Sequence, residues 1–299
     1  MKNVLKLAIF LGCILLLFGA GVVASYLQAQ LFVHNPSSGR SAEARTPADY
    51  QMVYQSLELQ TQDGLRLAAW YIPSQNGAAV IMVHGHKANR ADMLTRAQVL
   101  ARHGYGVLLL DLRAHGKSEG DLITFGMKEA QDVDAAYRYL LTSPEVDADR
   151  IGAIGCSMGG AVVILSAAQN TGIKAVVSES SFATLSDAVP SAISETGLPP
   201  ILFAPFVQWF AEREIGFKAE QISPINYIGK ISPRPVFIMH GGKDLVVMPD
   251  SGQRLYDAAG EPRELWFEPD LGHIEFINTL PDEYERRVIK FLDHYLSKE

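Results

Sequence analysis

Ser157 stands in the run Gly155-Cys156-Ser157-Met158-Gly159-Gly160, a G-x-S-x-G pattern between an apolar run that reads as a strand (151–156) and a segment that reads as a helix through 168. A serine hydroxyl that attacks an acyl carbon must project from a tight, strained strand-to-helix turn. Glycines two positions to either side let the strand and helix approach. The helix start then offers backbone N–H groups to an oxyanion. Such a serine needs a base, and the base needs a group to orient it. His273 ends Asp270-Leu271-Gly272-His273, and Asp244 ends Gly241-Gly242-Lys243-Asp244. Each follows a strand-like run, so both lie at strand C-terminal ends, as Ser157 does. Serine, aspartate, histidine is the chain order that accompanies a serine on a strand-to-helix turn. Ser157 is therefore read as nucleophile, His273 as base and Asp244 as acid. A second oxyanion donor is expected in the loop His84-Gly85-His86-Lys87-Ala88-Asn89, where the N–H of His86 would join that of Met158.

Other reactive side chains nearby read as structural. Cys156 adjoins Ser157, so its side chain points elsewhere, as a buried inert thiol. His84 and His86 form an H-x-H, but no further histidine or carboxylate at ligand spacing joins them, and no metal is expected. His84 is read as a structural histidine under the site. Asp270 is the alternative acid and Glu179 a more distant one. Glu179 is also a candidate to hold a substrate amine. The stretch 111–118 has turn chemistry after a buried strand and reads as the floor of the site.

These residues need a scaffold. Runs 52–60 and 65–73 flank the turn Gln62-Asp63-Gly64 and read as a hairpin. Continuous apolar runs at 78–83, 106–112, 151–156, 173–178, 235–240 and 264–267 alternate with helical patterns at 90–103, 125–141 and 282–297. Fully apolar strands alternating with helices imply a mostly parallel sheet covered on both faces. Residues 182–233 interrupt the alternation and read as a small helical cap over the strand C-termini. Within it Phe203, Phe206, Trp209 and Phe210 form an aromatic helix, read as core or as the lining of an acyl site.

The N-terminus is expected to lie outside this fold. Residues 7–27 carry no charge, and at about 1.5 Å per residue such a helix crosses a bilayer core of roughly 30 Å. A cleaved secretory signal is the alternative, with Val22-Val23-Ala24 as its best exit. A lipoprotein site at Cys13 fits less well. Lys2 and Lys6 before the span, against Arg40 soon after it, favour an N-terminus inside and a catalytic domain outside the cytoplasm, periplasmic in a bacterium. The organisation read from the sequence is an anchor at 1–33, a linker at 34–49 and a catalytic domain at 50–299.

The 299 residues are 48% hydrophobic and 20% charged, which excludes a disordered or collagen-like chain. With 26 basic against 33 acidic residues and no long basic stretch, nucleic acid is not an expected partner. Two cysteines, Cys13 and Cys156, exclude a disulfide framework and a thiolate-rich zinc site.

Taken together, His84-Gly85-His86, Asp111-x-Arg113-x-x-Gly116-x-Ser118, the 155–159 motif, His240-Gly241-x-x-Asp244 and Gly272-His273 resemble the α/β-hydrolase superfamily, in particular its BEM46-like and serine aminopeptidase-like members. The resemblance runs from about Val53 to the C-terminus. It implies an α/β-hydrolase fold with an eight-stranded, mostly parallel sheet, the Ser157-His273-Asp244 triad, and backbone donors at His86 and Met158. No cofactor is implied. The expected activity is cleavage of an acyl bond in a small-molecule or lipid-like substrate, a carboxylic ester first, with peptidase and thioesterase activity as alternatives. A non-catalytic interaction domain and acyl transfer to an acceptor other than water stand further off. Nothing in the sequence sets the oligomeric state.

Overall fold

Residues 1–37, 40, 43–194 and 197–297 are described in a computed structural model. After α1 (Lys2–Val33) come β1 (Gln55–Gln60), β2 (Arg66–Ile72), β3 (Ala79–Val83), α2 (Leu94–Arg102), β4 (Gly106–Leu110), α3 (Glu129–Leu140), β5 (Ile151–Cys156), α4 (Met158–Gln169) and β6 (Ala175–Glu179). The segment between β6 and the next strand holds α5 (Val189–Ser194), α6 (Pro200–Ile215) and α7 (Ala219–Ile222). β7 (Val236–Gly241), α8 (Ser251–Ala258), β8 (Arg263–Glu268), α9 (Phe276–Thr279) and α10 (Pro281–Leu296) complete the chain. The eight strands form one sheet in the order β1-β2-β4-β3-β5-β6-β7-β8. The hairpin β1–β2 and the pair β2–β4 are antiparallel, and every other pairing is parallel.

β3, β4, β5 and β6 are buried at every position, as strands covered on both faces must be. One face packs on α3 and α4 through residues such as Val133 and Val162, and the other on α2 and α10 through Ala97 and Val288. The helix expected at 125–141 starts only at Glu129. The buried Glu129 carboxylate accepts hydrogen bonds from the N–H groups of Thr124 (2.7 Å) and Gly126 (2.8 Å) and from the Thr124 hydroxyl (2.6 Å), which holds the preceding turns out of helical geometry. The helix expected at 90–103 opens as a 3-10 turn, Arg90–Met93.

The N-terminal segment departs most from expectation. α1 is long and apolar enough to cross a membrane, yet it belongs to the fold. Its second half runs alongside α6 and buries Gly21, Ser25, Ala29, Phe32 and Val33. Small residues at four-residue spacing let two helices approach closely. A Cβ at Gly21 would overlap the Phe203 ring. Phe18 stacks near Phe203 and Phe206, with ring centroids 5.9 Å away in each case, and Tyr26 meets Phe210 at 5.3 Å.

Described residues of the stretch read as a linker, 34–49, also contact the domain. Asn35 donates its side-chain amide to the Ala114 carbonyl at 2.7 Å, and the Arg40 guanidinium donates to the carbonyls of Ser118 and Gly120. The buried carboxylate of Glu43 pairs with Arg90 and with Lys117. Through these contacts the described residues of the stretch cross the loop after β4. Ser38, Gly39, Ser41 and Ala42 of this stretch, and Glu195 and Thr196 between α5 and α6, lie outside the described residues.

Candidate active site

β5 ends in a turn that only glycine-flanked sequence can make. Ser157 adopts φ 56°, ψ −122°, in the left-handed half of backbone space where a side chain is strained. A Cβ at Gly155 would overlap the Gly159 carbonyl, and one at Gly159 would overlap the carbonyls of Val83 and His84. The spacing of the motif is thus the packing of α4 against β5 and β3. The Ser157 N–H donates to the Glu179 carbonyl at 2.8 Å and fixes the turn to the neighbouring strand end.

The three residues singled out by spacing meet at the strand C-terminal ends. His273 Nε2 lies 2.9 Å from Ser157 Oγ, and His273 Nδ1 lies 2.7 Å from Asp244 Oδ2. With the proton on Nδ1, the ring donates to Asp244 and accepts from the serine hydroxyl. The other oxygen, Asp244 Oδ1, accepts the N–H groups of Val246 (2.8 Å) and Val247 (2.9 Å). Burial alone would raise the Asp244 carboxyl. The hydrogen bond and charge of His273, with the two N–H groups, hold it below its ordinary value, so it stays ionised. His240 lies buried beside it, Nε2 3.6 Å from Oδ2, and burial keeps that ring neutral.

The alternative acids are placed elsewhere. Asp270 is exposed and pairs with Lys243 at 2.7 Å. Glu179 is buried and engaged by Arg96 in a two-point pair, Nε to Oε2 at 3.0 Å and Nη2 to Oε1 at 2.8 Å, so it has no face left for a substrate amine. The Cys156 thiol points to the same carboxylate, 3.4 Å away, and burial pushes it up into the inert range.

His86 and Met158 border Ser157 in a cavity of about 280 Å³. Among the described residues, nothing accepts either N–H. Gly85 keeps the approach open, since a Cβ there would stand 3.2 Å from Ser157 Cβ. Three imidazoles pin this loop. His84 donates from Nδ1 to the Gly85 carbonyl (2.8 Å) and accepts the Leu112 N–H at Nε2 (3.2 Å). His115 donates to the Arg113 carbonyl (2.8 Å) and accepts the Lys87 N–H (3.0 Å). His86 donates from Nε2 to the Phe32 carbonyl of α1 at 2.8 Å. Burial lowers all three, His86 to about 4, so they serve as neutral connectors. The 111–118 turn is the floor, as its composition suggested. Asp111 accepts the N–H groups of Arg90 (2.7 Å) and Lys117 (2.9 Å), and Arg113 grips buried Asp132.

The aromatic helix does not line this cavity. Phe203, Phe206 and Phe210 turn onto α1, and Gln28, Leu31 and Phe32 of α1 form the wall instead, opposite Phe125, Phe182 and Val247. Sequence reasoning missed Phe32 because its part is played by a carbonyl, which every residue has. The small-residue spacing of Gly21, Ser25 and Ala29 was the signal that α1 packs on another helix.

Comparison with known proteins agrees with this architecture. Residues 42–202, just over half of the chain, match the model of the X-Pro dipeptidyl-peptidase (S15) family. Protein MT2364 of Mycobacterium tuberculosis is 30% identical over 266 residues, covering 87% of this chain and 86% of that one. Protein bem46 of Schizosaccharomyces pombe is 25% identical over 297 residues, covering 97% and 93%. The crystal structure of the Pyrococcus furiosus esterase Pf2001 superposes with a TM-score of 0.76 at 31% identity, covering 89% of this chain and 99% of that one. The sheet order, the turn at Ser157 and these matches together identify the chain as a hydrolase of the α/β-hydrolase superfamily, belonging with the BEM46-like proteins and the S15 family model.

Proposed function

We propose that the protein is a membrane-anchored serine hydrolase that cleaves a carboxylic ester through an acyl-enzyme. The observation that carries this reading is the unbroken chain Ser157 Oγ, His273, Asp244 at 2.9 and 2.7 Å, with His86 and Met158 lining the same cavity. Ser157 Oγ attacks the acyl carbon while its proton passes to His273 Nε2. The carbonyl oxygen becomes an oxyanion held by the two N–H groups. His273 then protonates the departing alkoxide, the C–O bond breaks, and an acyl-Ser157 ester remains. Water, losing its proton to His273, attacks that ester and releases the acid and the free serine. Asp244 stays ionised and holds His273 in the productive tautomer.

The S15 match raises a peptidase as the second reading. Against it, the described lining of the cavity includes no carboxylate to hold a substrate ammonium, and Glu179 is engaged by Arg96. The esterase likeness favours ester cleavage. Retention of α1, rather than its removal as a signal, is supported by its contacts. Losing it would strip the cover from Phe203 and the wall from the cavity. Lys2 and Lys6 favour an N-terminus inside and the hydrolase domain outside the cytoplasm. A fluorophosphonate probe on the full-length, detergent-solubilised protein tests the nucleophile. Labelling in the wild type and none in Ser157→Ala is expected. No labelling of the folded wild type would leave an interaction domain as the better reading.

A further inference from the structure

We propose that the first half of α6 enters the bilayer beside α1, so that the hydrolase domain sits in the membrane surface instead of hanging above it on a single helix. This rests on reading α1 as a retained span. The argument is one of length. Charge ends at Lys6, so the span begins at Leu7. The shortest workable span, about 17 residues, then ends near Val23, and an ordinary one of about 20 ends near Tyr26. But α6 already meets α1 at Phe18 and Gly21. The free part of α1, residues 7–17, measures only about 16 Å at 1.5 Å per residue, roughly half of a bilayer core. The two helices run in the same direction, since Phe18 meets Phe203, Tyr26 meets Phe210 and Gln30 meets Glu214. Wherever α1 is in hydrocarbon at Phe18, the start of α6 is there too.

The chemistry of α6 suits that position. From Pro200 to Phe210 it carries no charge, and its first charged residue is Glu212. Ile201 is 94% exposed, and Leu202 and Trp209 are about half exposed, so an apolar face with no protein against it points outward. A helix end in hydrocarbon needs its N–H groups satisfied. Pro200 has none, and those of Leu202 and Phe203 both donate to the Pro199 carbonyl, which leaves one N–H of the first turn, that of Ile201, without an acceptor among the described residues. At the upper end the character changes abruptly. The Arg213 guanidinium lies 4.2 Å from the Trp209 ring centroid, Tyr26 is level with Phe210, and Gln30 and His34 both bond Glu214 at 3.0 Å. An aromatic pair topped by charges marks an interface. The cavity wall at Leu31 and the exposed Leu245, Val246 and Met248 then stand near the headgroups, where an amphiphile could enter without leaving the membrane.

Trp209 offers a direct test, because Trp70 and Trp266 are 2% exposed and shielded from quenchers. Full-length protein is reconstituted in phosphatidylcholine vesicles whose acyl chains carry bromine at a defined depth, with flotation confirming incorporation. Bromolipid is expected to lower the Trp209 contribution about twofold, and aqueous iodide to leave it nearly unchanged. In Trp209→Phe the bromolipid effect should vanish. In the double variant Trp209→Phe, Ile201→Trp the new indole should be quenched best by more deeply placed bromines. Quenching by iodide but not bromolipid, in vesicles that hold the protein, overturns the inference and leaves the anchor standing. Quenching by neither overturns it too, with a second copy covering α6. Failure to float would instead remove the anchor on which it rests. No arm depends on turnover, so none is confused with failure of the proposed chemistry.

Discussion

Beneath Ser157 the chain is held by buried ion pairs and hydrogen-bonded imidazoles, whereas above it α1 and α6 meet through rings and small side chains, with one polar cluster at the end of the seam. In the floor the donors are matched to particular acceptors: Asp111 for two backbone N–H groups, Asp132 and Asp63 for Arg113, the Gly85 carbonyl for His84. Such networks lose much when any member is removed, because the partner is left unpaired in a dry interior. In the roof Phe18, Phe203 and Phe206 gain from contact of almost any orientation, each pair worth about 1 kcal/mol. The floor fixes the loop beside Ser157 through directional bonds, as the proposed oxyanion site would need. The roof supplies a cover, and contacts of this kind would suit the membrane-facing wall proposed above.

Several substitutions can sharpen or break this contrast. The largest effect belongs to the reacting groups. Ser157→Ala and His273→Ala should each lower kcat by about 10⁶ with an unchanged melting temperature, measured on a soluble ester panel. Next comes Asp244→Asn, with a loss of about 10⁴ from the wrong tautomer. Asp270→Asn should leave activity alone, and the reverse pattern would move the acid role to the exposed loop. Third, Asp111→Ala should destabilise by about 3–5 kcal/mol in urea titration, because Arg90 and two backbone N–H groups lose a buried acceptor. A loss as small as a roof substitution would contradict the division of labour.

Acid should distinguish the two regions as well. Unfolded, His84, His86 and His115 take protons near pH 6.5. Folded, burial keeps them neutral, His86 down to about 4. Below pH 6.5 the unfolded chain therefore binds more protons, and stability falls as pH falls, by up to about 1.4 kcal/mol per pH unit for each histidine. His115→Gln should flatten that slope by one histidine's share, read from urea midpoints between pH 7 and 5, whereas no roof substitution should alter it. The smallest effect is expected in the roof itself. Phe206→Ala should cost only about 1 kcal/mol beyond its lost area and leave kcat for a soluble ester within about twofold.

Legibility in the sequence divides along similar lines. The parallel sheet was readable because β3 to β6 are continuous apolar runs, and the Ser157 turn because glycines at fixed offsets have one physical use there. Residues 251–258 were not read as a helix. α8 buries Ser251, Gly252 and Leu255, so a single large apolar side chain marks its inner face. The docking of α1 was hidden for the opposite reason: a helix apolar on all sides shows no preferred face, and only the small residues at 21, 25 and 29 betray one. The place of Glu179 could not be read either, since its partner Arg96 lies 83 residues away.

The hydrogen bond from His86 to the Phe32 carbonyl has a practical consequence for anyone preparing this enzyme. A cut after Val33 would remove all of α1. Here that cut removes the carbonyl that accepts from His86, one wall of the cavity beside Ser157, and the cover of α6 together. A chain beginning after Val33 would leave the His86 ring without its acceptor and the cavity open on one side.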